Sequence, residues 1–453
     1  MPYEPSTMNS RQRVLVTGGA GFIGSHVVDL LLATSYEVAI FDAFIPQVHP
    51  KGRTPWWTED QIKQGAQVYR GRVENRAEIL GAIQDFRPHV VLHLAAEVGV
   101  GQAETDQVRY LTANTIGTAT LVEAILEGND ELTEEQQLDG CRRLVSASSM
   151  SCYGEGLYRC ELHGVIRPRR QPDDILNGVF KPRCPFEGAP DGQPHPEMVT
   201  TWLPMEEWRY FEAQGIYAFS KRDTEEITMN ARRTGLSTAA LRLFNVYGDR
   251  QSRTNPYTGV AAIFAGRALA GLNPRVYEDG KQSRDFVHVH DVARAFQLMA
   301  GPPQLKLALR LFPNPAWNDV FNVCTGHETT IGELAQLACD EIDPSLTPEI
   351  TGQARSGDIR TCIGLGKKLA DLGGWVPQVT TEAGLRELFN RWKEEGIPDD
   401  EKDRASEEAL DAAHEQLMER RLIHATGPDS VYGMADSAGA VAVPLGDDTE
   451  RVE

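Results

Sequence analysis

The chain of 453 residues is short of positive charge: 45 Lys and Arg stand against 65 Asp and Glu, for a formal net charge of −20. A general nucleic-acid or anionic-membrane binder needs a basic footprint, so both classes are excluded; a local basic pocket for a phosphorylated ligand is not. No apolar run is long enough to cross a bilayer, and the polar start, Met1 to Arg13, lacks the apolar stretch of a secretory signal. The seven cysteines include no Cys-x-x-Cys pair, which reads as reduced thiols in a cytoplasmic protein. No internal repeat is found.

What is present is alternation. Short β-branched runs at Val14–Thr17, Glu37–Phe41, Val68–Arg70, Val90–Leu94, Arg143–Ser148 and Thr238–Leu243 read as strands. Amphipathic segments at Phe22–Leu32, about Asp106–Leu126 and about Tyr217–Thr234 read as the helices between them. This order predicts an α/β fold, a Rossmann-type doubly wound parallel sheet, with a smaller mixed α/β substrate lobe. The expected division is a dinucleotide-binding domain over 11–250, with an inserted segment at about 155–210, and a substrate-binding lobe mainly over 251–395. A helix is expected at Glu382–Trp392. An acidic tail, 396–453, is expected to be partly disordered, with a polar helix at Ser406–Leu422.

Thr17-Gly18-Gly19-Ala20-Gly21-Phe22-Ile23-Gly24 follows a strand and opens a helix. Gly18 permits the tight turn, Gly21 lets the backbone approach a pyrophosphate, and Gly24 allows close packing of helix on strand. The pyrophosphate then meets the amides of the helix N-terminus, beside Phe22 and Ile23. Asp42 ends the second strand, where a carboxylate can accept bonds from ribose hydroxyls and repels a 2′-phosphate, so NAD is favoured over NADP. The bland alternatives are a plain strand–helix turn and a strand-end acid.

Tyr217 and Lys221 share a helix face at i, i+4 spacing. An ammonium beside a phenol is expected to favour the phenolate and so to make a general base. A second match, Tyr277 and Lys281, spans Asp279-Gly280, a turn signal, and is read as chance. The strand end Ser146-Ala147-Ser148-Ser149 places hydroxyls at the ligand crevice of a parallel sheet, either to meet substrate or to cap local backbone.

The motif order resembles the extended short-chain dehydrogenase/reductases, in particular the NAD-dependent nucleotide-sugar epimerase/dehydratase family. The likeness runs from about Arg13 to Trp392. It includes His93-Leu94-Ala95-Ala96, Asn114 before Gly117-Thr118, Leu241-Arg242-Leu243-Phe244-Asn245-Val246-Tyr247-Gly248, Arg284-Asp285-Phe286-Val287-His288 and Gly357-Asp358-Ile359-Arg360. The resemblance implies that Ser149 is the active-site hydroxyl, Tyr217 the base, and Lys221 its partner, bonded to the nicotinamide ribose. Ala95 and Asn114 would lie at the cofactor, Asn245 at the substrate, and Arg284 and Arg355 on its diphosphate; the bland reading of these arginines is surface ion pairs. The family suggests a homodimer packed through helices.

The dehydratases of this family carry Asp-Glu after the active-site hydroxyl, and the decarboxylases carry a Glu at the second of these positions. Here Met150 and Ser151 stand there, which disfavours both reactions. What remains is 4-epimerisation of a dTDP- or UDP-hexose by transient oxidation at C4 and hydride return. The alternatives are a nucleotide-sugar 4-ketoreductase or dehydrogenase, and a non-enzymatic NAD-binding scaffold. The pattern Tyr153-Gly154-Glu155-Gly156-Leu157-Tyr158-Arg159-Cys160 resembles a dTDP-L-rhamnose 4-epimerase-like subgroup.

Two departures stand out. Gly71-Arg72 replaces the family's Gly-Asp, which leaves the adenine contact open, with Val73 backbone groups as a substitute. The stretch between Ser149 and Tyr217 is also longer than is usual for the family. It contains Cys160-x-x-His163 and Cys184-x-x-Glu187, a spacing that could supply four zinc ligands. Such a set is unusual, and a loop without metal is the expected reading.

Overall fold

The computed structural model describes residues 11–49, 52–133, 140–168, 170–186, 199, 201–208, 212–253, 259–304, 307–308, 311–312, 314–355, 358–397 and 423–424. Seven strands form one all-parallel sheet: β1 (Arg13–Thr17), β2 (Glu37–Asp42), β3 (Gln67–Arg70), β4 (Val90–His93), β5 (Arg143–Ser149), β6 (Ser237–Leu243) and β7 (Val320–Val323). Their order is 7-6-5-4-1-2-3. The order reverses at β1, between β2 and β4, and that switch point is where doubly wound sheets bind ligands.

The strands alternate faces with period two. Val14, Val16, Ile40, Leu92, Val145 and Leu241 pack against α1 (Phe22–Ala33) and the later helix Val289–Ala300. Leu15, Ala39, Phe41, Val91 and Leu144 face the other way, onto α2 (Arg76–Phe86) and α3 (Gly117–Asp130). With both faces covered, β4, β5 and β6 are buried along their whole length, as central parallel strands require.

The long helix expected from Asp106 is a composite. Gln107–Tyr110 is α-helical, Leu111–Ile116 widens into a π-turn, and α3 continues to Asp130. Next come α4 (Gly215–Asn230), α5 (Val260–Leu269), α6 (Val289–Ala300), α7 (Ile331–Ile342) and α8 (Thr381–Glu395). A second core around Phe264, Phe286, Leu334, Leu388, Phe389 and Trp392 unites α5, α7 and α8. The chain after residue 251 is not one continuous lobe, because α6 and β7 return to the large sheet. Burial explains this return: Val292, Phe296 and Phe321 are fully apolar and find cover only there.

The inserted segment forms a separate antiparallel sheet of Leu157–Cys160, Gly164–Ile166 and Thr201–Leu203. Of the tail, Ile423–His424 pairs with Ala354–Arg355; the expected helix at 406–422 and the residues beyond 424 lie outside the described residues. No helix among the described residues is long and apolar enough to cross a membrane.

Candidate functional site

A cavity of about 1780 Å³ runs along the C-terminal edge of the sheet and under the second core. It is larger than a pocket for one small ligand, about 300–1,000 Å³, and suits a dinucleotide with a second nucleotide beside it.

Its first wall is the glycine turn. Gly18 has φ +68°, and a Cβ there would lie 2.7 Å from Ala95 N. A Cβ on Gly24 would lie 2.1 Å from the Gly18 oxygen. The turn is closed by Gly21 N–H donating to Gly18 O at 3.1 Å. Gly18, Gly21, Phe22, Ile23, Gly24 and Ala95 all line the cavity. The Asp42 carboxylate accepts from Ala20 N (3.0 Å) and Phe44 N (2.8 Å), so it braces the turn while lining the cavity. A carboxylate has about four acceptor positions, so two remain for ribose hydroxyls. This cradle fits NAD. Gly71, Arg72 and Val73 line the same cavity.

The second wall is α4. Its buried stripe, Ala218, Ser220, Lys221, Thr224, Glu225 and Thr228, has helical spacing but is mostly polar. Such a face is stable only when its members are satisfied. Ser220 Oγ accepts from Asn114 Nδ2 (2.9 Å), Thr224 Oγ1 donates to Asn114 O (3.2 Å), and Arg242 holds Glu225 through both carboxylate oxygens (2.6 and 2.9 Å). Ser148 Oγ also donates to Glu225, at 2.6 Å.

These bonds aim Tyr217 and Lys221 at the cavity beside Ser149. Ser149 Oγ accepts from Ser151 N (3.1 Å) and Ser151 Oγ (2.9 Å). The Tyr110 ring meets Tyr217 edge-on, 6.4 Å between centroids. Burial pushes the Tyr217 phenol up to about 12, with the Ser149 hydroxyl opposing. Burial likewise pulls Lys221 down to about 8. In the protein alone burial is the largest influence on Tyr217, and it acts against the lowering expected from the Lys221 ammonium.

Asn114 has a clear structural part. It is buried in the π-turn, where Oδ1 accepts from Glu97 N (2.8 Å) and Nδ2 donates to Glu97 O (3.0 Å) and Ser220 Oγ. It does not line the cavity; it ties the loop after β4 to α4. A short amide side chain suits the gap left by the widened turn, where regular helical bonds are missing. His93 plays a similar part between Thr17 Oγ1 (2.7 Å) and Thr118 Oγ1 (3.0 Å). Burial and the Lys221 charge hold it neutral, at about 3.

At the far end, Asn245 lines the cavity, and its Oδ1 is buried without a hydrogen-bond partner among the described residues. Such an atom costs free energy unless something else donates to it. Arg284 lines the cavity and pairs with Asp358, so the ion-pair reading and the ligand reading coexist. Only the backbone of Arg355 is described, in the pairing with Ile423. Arg267 and Arg275 line the same end; neither sits in a sequence motif, so nothing in the chain announced them. The chance pair Tyr277 and Lys281 lies on a turn at Gly280, φ +73°, as the Asp-Gly signal predicted.

In the insertion, Cys160, His163 and Cys184 come together, with their donor atoms within 4.8 Å of one another. Glu187 lies outside the described residues.

A model described as the NAD dependent epimerase/dehydratase family matches residues 14–183 and 194–312. The chain is 29% identical over 378 residues to a dTDP-L-rhamnose 4-epimerase of Burkholderia thailandensis, covering 83% of this chain and 94% of that one. The UDP-glucose 4-epimerase of Thermus thermophilus, solved with NAD, superposes with TM-score 0.61 at 28% identity, covering 84% of this chain and 99% of that one. The UDP-glucose 4-epimerase of Thermotoga maritima, solved with UDP-glucose, gives 0.62 at 27% identity, over 85% and 99%.

Proposed function

The chain belongs to the NAD dependent epimerase/dehydratase family, and from that premise we propose that it is a nucleotide-sugar 4-epimerase. The carrying observation is the set Ser149, Tyr217 and Lys221 on one cavity wall, with Met150 and Ser151 following Ser149 where elimination would need carboxylates. The 4-epimerases of dTDP-L-rhamnose and UDP-glucose among its relatives support a dTDP- or UDP-hexose, with dTDP-L-rhamnose the first candidate.

NAD held in this cradle would supply the acceptor and donor for a hydride at C4 and a positive charge beside Tyr217. Gly18, Gly21 and Gly24 would hold its pyrophosphate at the N-terminus of α1, and Asp42 its adenosine ribose. Tyr217 Oη takes the proton of the sugar 4-hydroxyl, Ser149 Oγ orients that hydroxyl, and Lys221 Nζ balances the phenolate. The keto sugar turns in the cavity, so that the hydride would return to the opposite face of C4 while Tyr217 returns the proton to the C4 oxygen. Asn245 Oδ1 takes a donor from the nucleotide end. Arg284 meets the diphosphate, with Arg355 assigned there on the family resemblance alone.

A homodimer through helices belongs to this reading, supported by the exposed apolar side chains Val108, Ile116 and Phe219 beside and on α3 and α4. A cytoplasmic setting is supported by seven cysteines, none of them in a disulfide.

The test is a panel of nucleotide sugars followed by NMR in deuterated water. Inversion at C4 without solvent deuterium is expected. Deuterium at C3 or C5, or net release of reduced cofactor, overturns the reading.

A further inference from the structure

The inserted sheet carries a side-chain cluster that cofactor binding and proton transfer leave unused. Among the described residues its own apolar cluster has four buried members, Tyr158, Cys160, Ile166 and Val199, with Leu162, Cys184 and Trp202 partly buried, while Leu157 and Met205 pack into the main core. Its strands are 3 or 4 residues long. A unit this small rarely holds by burial alone and is usually stapled.

Cys160 ends the first strand of the hairpin. The chain turns through Glu161–His163, and Gly164, φ +69°, relieves the strain of the reversal, so His163 lies back over Cys160. Cys184 arrives from a separate stretch that follows the short helix Pro172–Leu176. Cys160 Sγ is 3.7 Å and Cys184 Sγ 3.5 Å from one and the same atom, His163 Nδ1. Ordinary thiol hydrogen bonding does not ask for this, because the lone pair of a neutral imidazole nitrogen accepts one S–H. A shared cation does ask for it. With Zn–S about 2.3 Å and Zn–N about 2.05 Å at the tetrahedral angle, the S···N separation is about 3.6 Å.

We propose that Cys160, His163 and Cys184 are three ligands of a structural zinc site that staples the insertion. Two thiolates and an imidazole favour zinc over the hard cations magnesium and calcium. Binding releases one proton from each thiol, and the fourth tetrahedral position takes a further ligand. The staple fixes a segment joined to the substrate lobe: Arg170 reaches Glu278 at 2.5 Å, and the Glu155 carboxylate accepts from Arg360 N and Thr361 N at 2.8 to 3.0 Å.

The experiment is elemental analysis of the full chain, purified without chelator, and then titrated with Zn(II) and with Co(II). About one zinc per chain is expected, and Co(II) should show tetrahedral visible bands with thiolate charge transfer in the near ultraviolet. Cys184→Ser should lose most of the metal and the charge-transfer band, while Cys339→Ser, in α7, should keep both. Cys160→Ser removes a buried residue, so circular dichroism of Cys184→Ser and His163→Ala separates metal loss from unfolding. Zinc far below one per chain with no uptake of added metal, an octahedral cobalt spectrum, or a Cys160–Cys184 disulfide in the unreduced protein overturns the proposal.

Discussion

The sheet that carries Ser149 and the insertion that follows it are held by different physics. β5 is buried along its length between two apolar layers, and Tyr217 and Lys221 inherit their placement from it through α4. The insertion has a small apolar cluster of its own, four buried residues among those described, and is tied to the substrate lobe by charge, Arg170 with Glu278, which also meets Arg360. Apolar layers place a strand regardless of which Val or Leu fills them, whereas a buried ion pair fails when one partner is removed. The catalytic wall should therefore lose chemistry without losing stability, and the insertion the reverse.

Tyr217→Phe is the strongest test of the first half of that contrast. Removing the hydroxyl should lower kcat by about 10²–10⁴-fold, the range for a lost general acid–base group, with the urea midpoint unchanged. Ser149 loses its link to Tyr217 but keeps the two bonds it accepts from Ser151. A variant that turns over at the native rate removes Tyr217 from the mechanism. Glu278→Gln tests the second half. Glu278 is 1% exposed and faces two arginines. The change should cost about 3 kcal/mol, the low end for breaking a buried pair because Asp279 still serves Arg360. Turnover at saturating substrate should hold within a few-fold. If Glu278→Gln leaves the urea midpoint in place, charge does not fasten the insertion and the contrast collapses.

The two regions also differ in how far the chain announces them. The glycine turn, Asp42, and the Tyr217–Lys221 spacing were legible because each answers a local demand of one turn or one helix face. The Cys160, His163 and Cys184 spacing was legible as a pattern, but not its closure, because Cys184 returns from a distant stretch. The partners of Asn114, Glu97 and Ser220, are not legible in sequence, because they come from two other elements and the widened turn has no sequence mark. Arg267 and Arg275 were missed for the same reason: the cavity selects them by position in the fold, not by neighbours in sequence. The burial that raises Tyr217 is not legible in the Tyr217–Lys221 spacing, because spacing says nothing about desolvation.

A smaller effect is expected at the substrate end. Asn245→Ala should raise KM for the nucleotide sugar about tenfold, about 1.4 kcal/mol, with kcat nearly unchanged, since the bond is made equally in ground and transition states. A fall in kcat at constant KM would move Asn245 from binding into the chemistry.

The finest discrimination comes from pH. Lys221 drops from its ordinary 10.5 to about 8 because burial disfavours its charge. Its ammonium supports Tyr217, so kcat/KM, which reports the free enzyme, should fall as pH rises through about 8. Stability runs the other way. Between about 8 and 10.5 the unfolded chain holds the lysine proton and the folded one does not, so this group adds stability as pH rises. Buried thiols such as Cys141, pushed up to about 12, subtract stability at the alkaline end of the same range. The lysine contribution must therefore be read as the difference between the native chain and Lys221→Met. That difference should grow in favour of the native chain from pH 8 to 10 while native activity declines. If the two move together, some other group sets the alkaline limb, and the catalytic wall is not held apart from the stability of the fold in the way its burial implies.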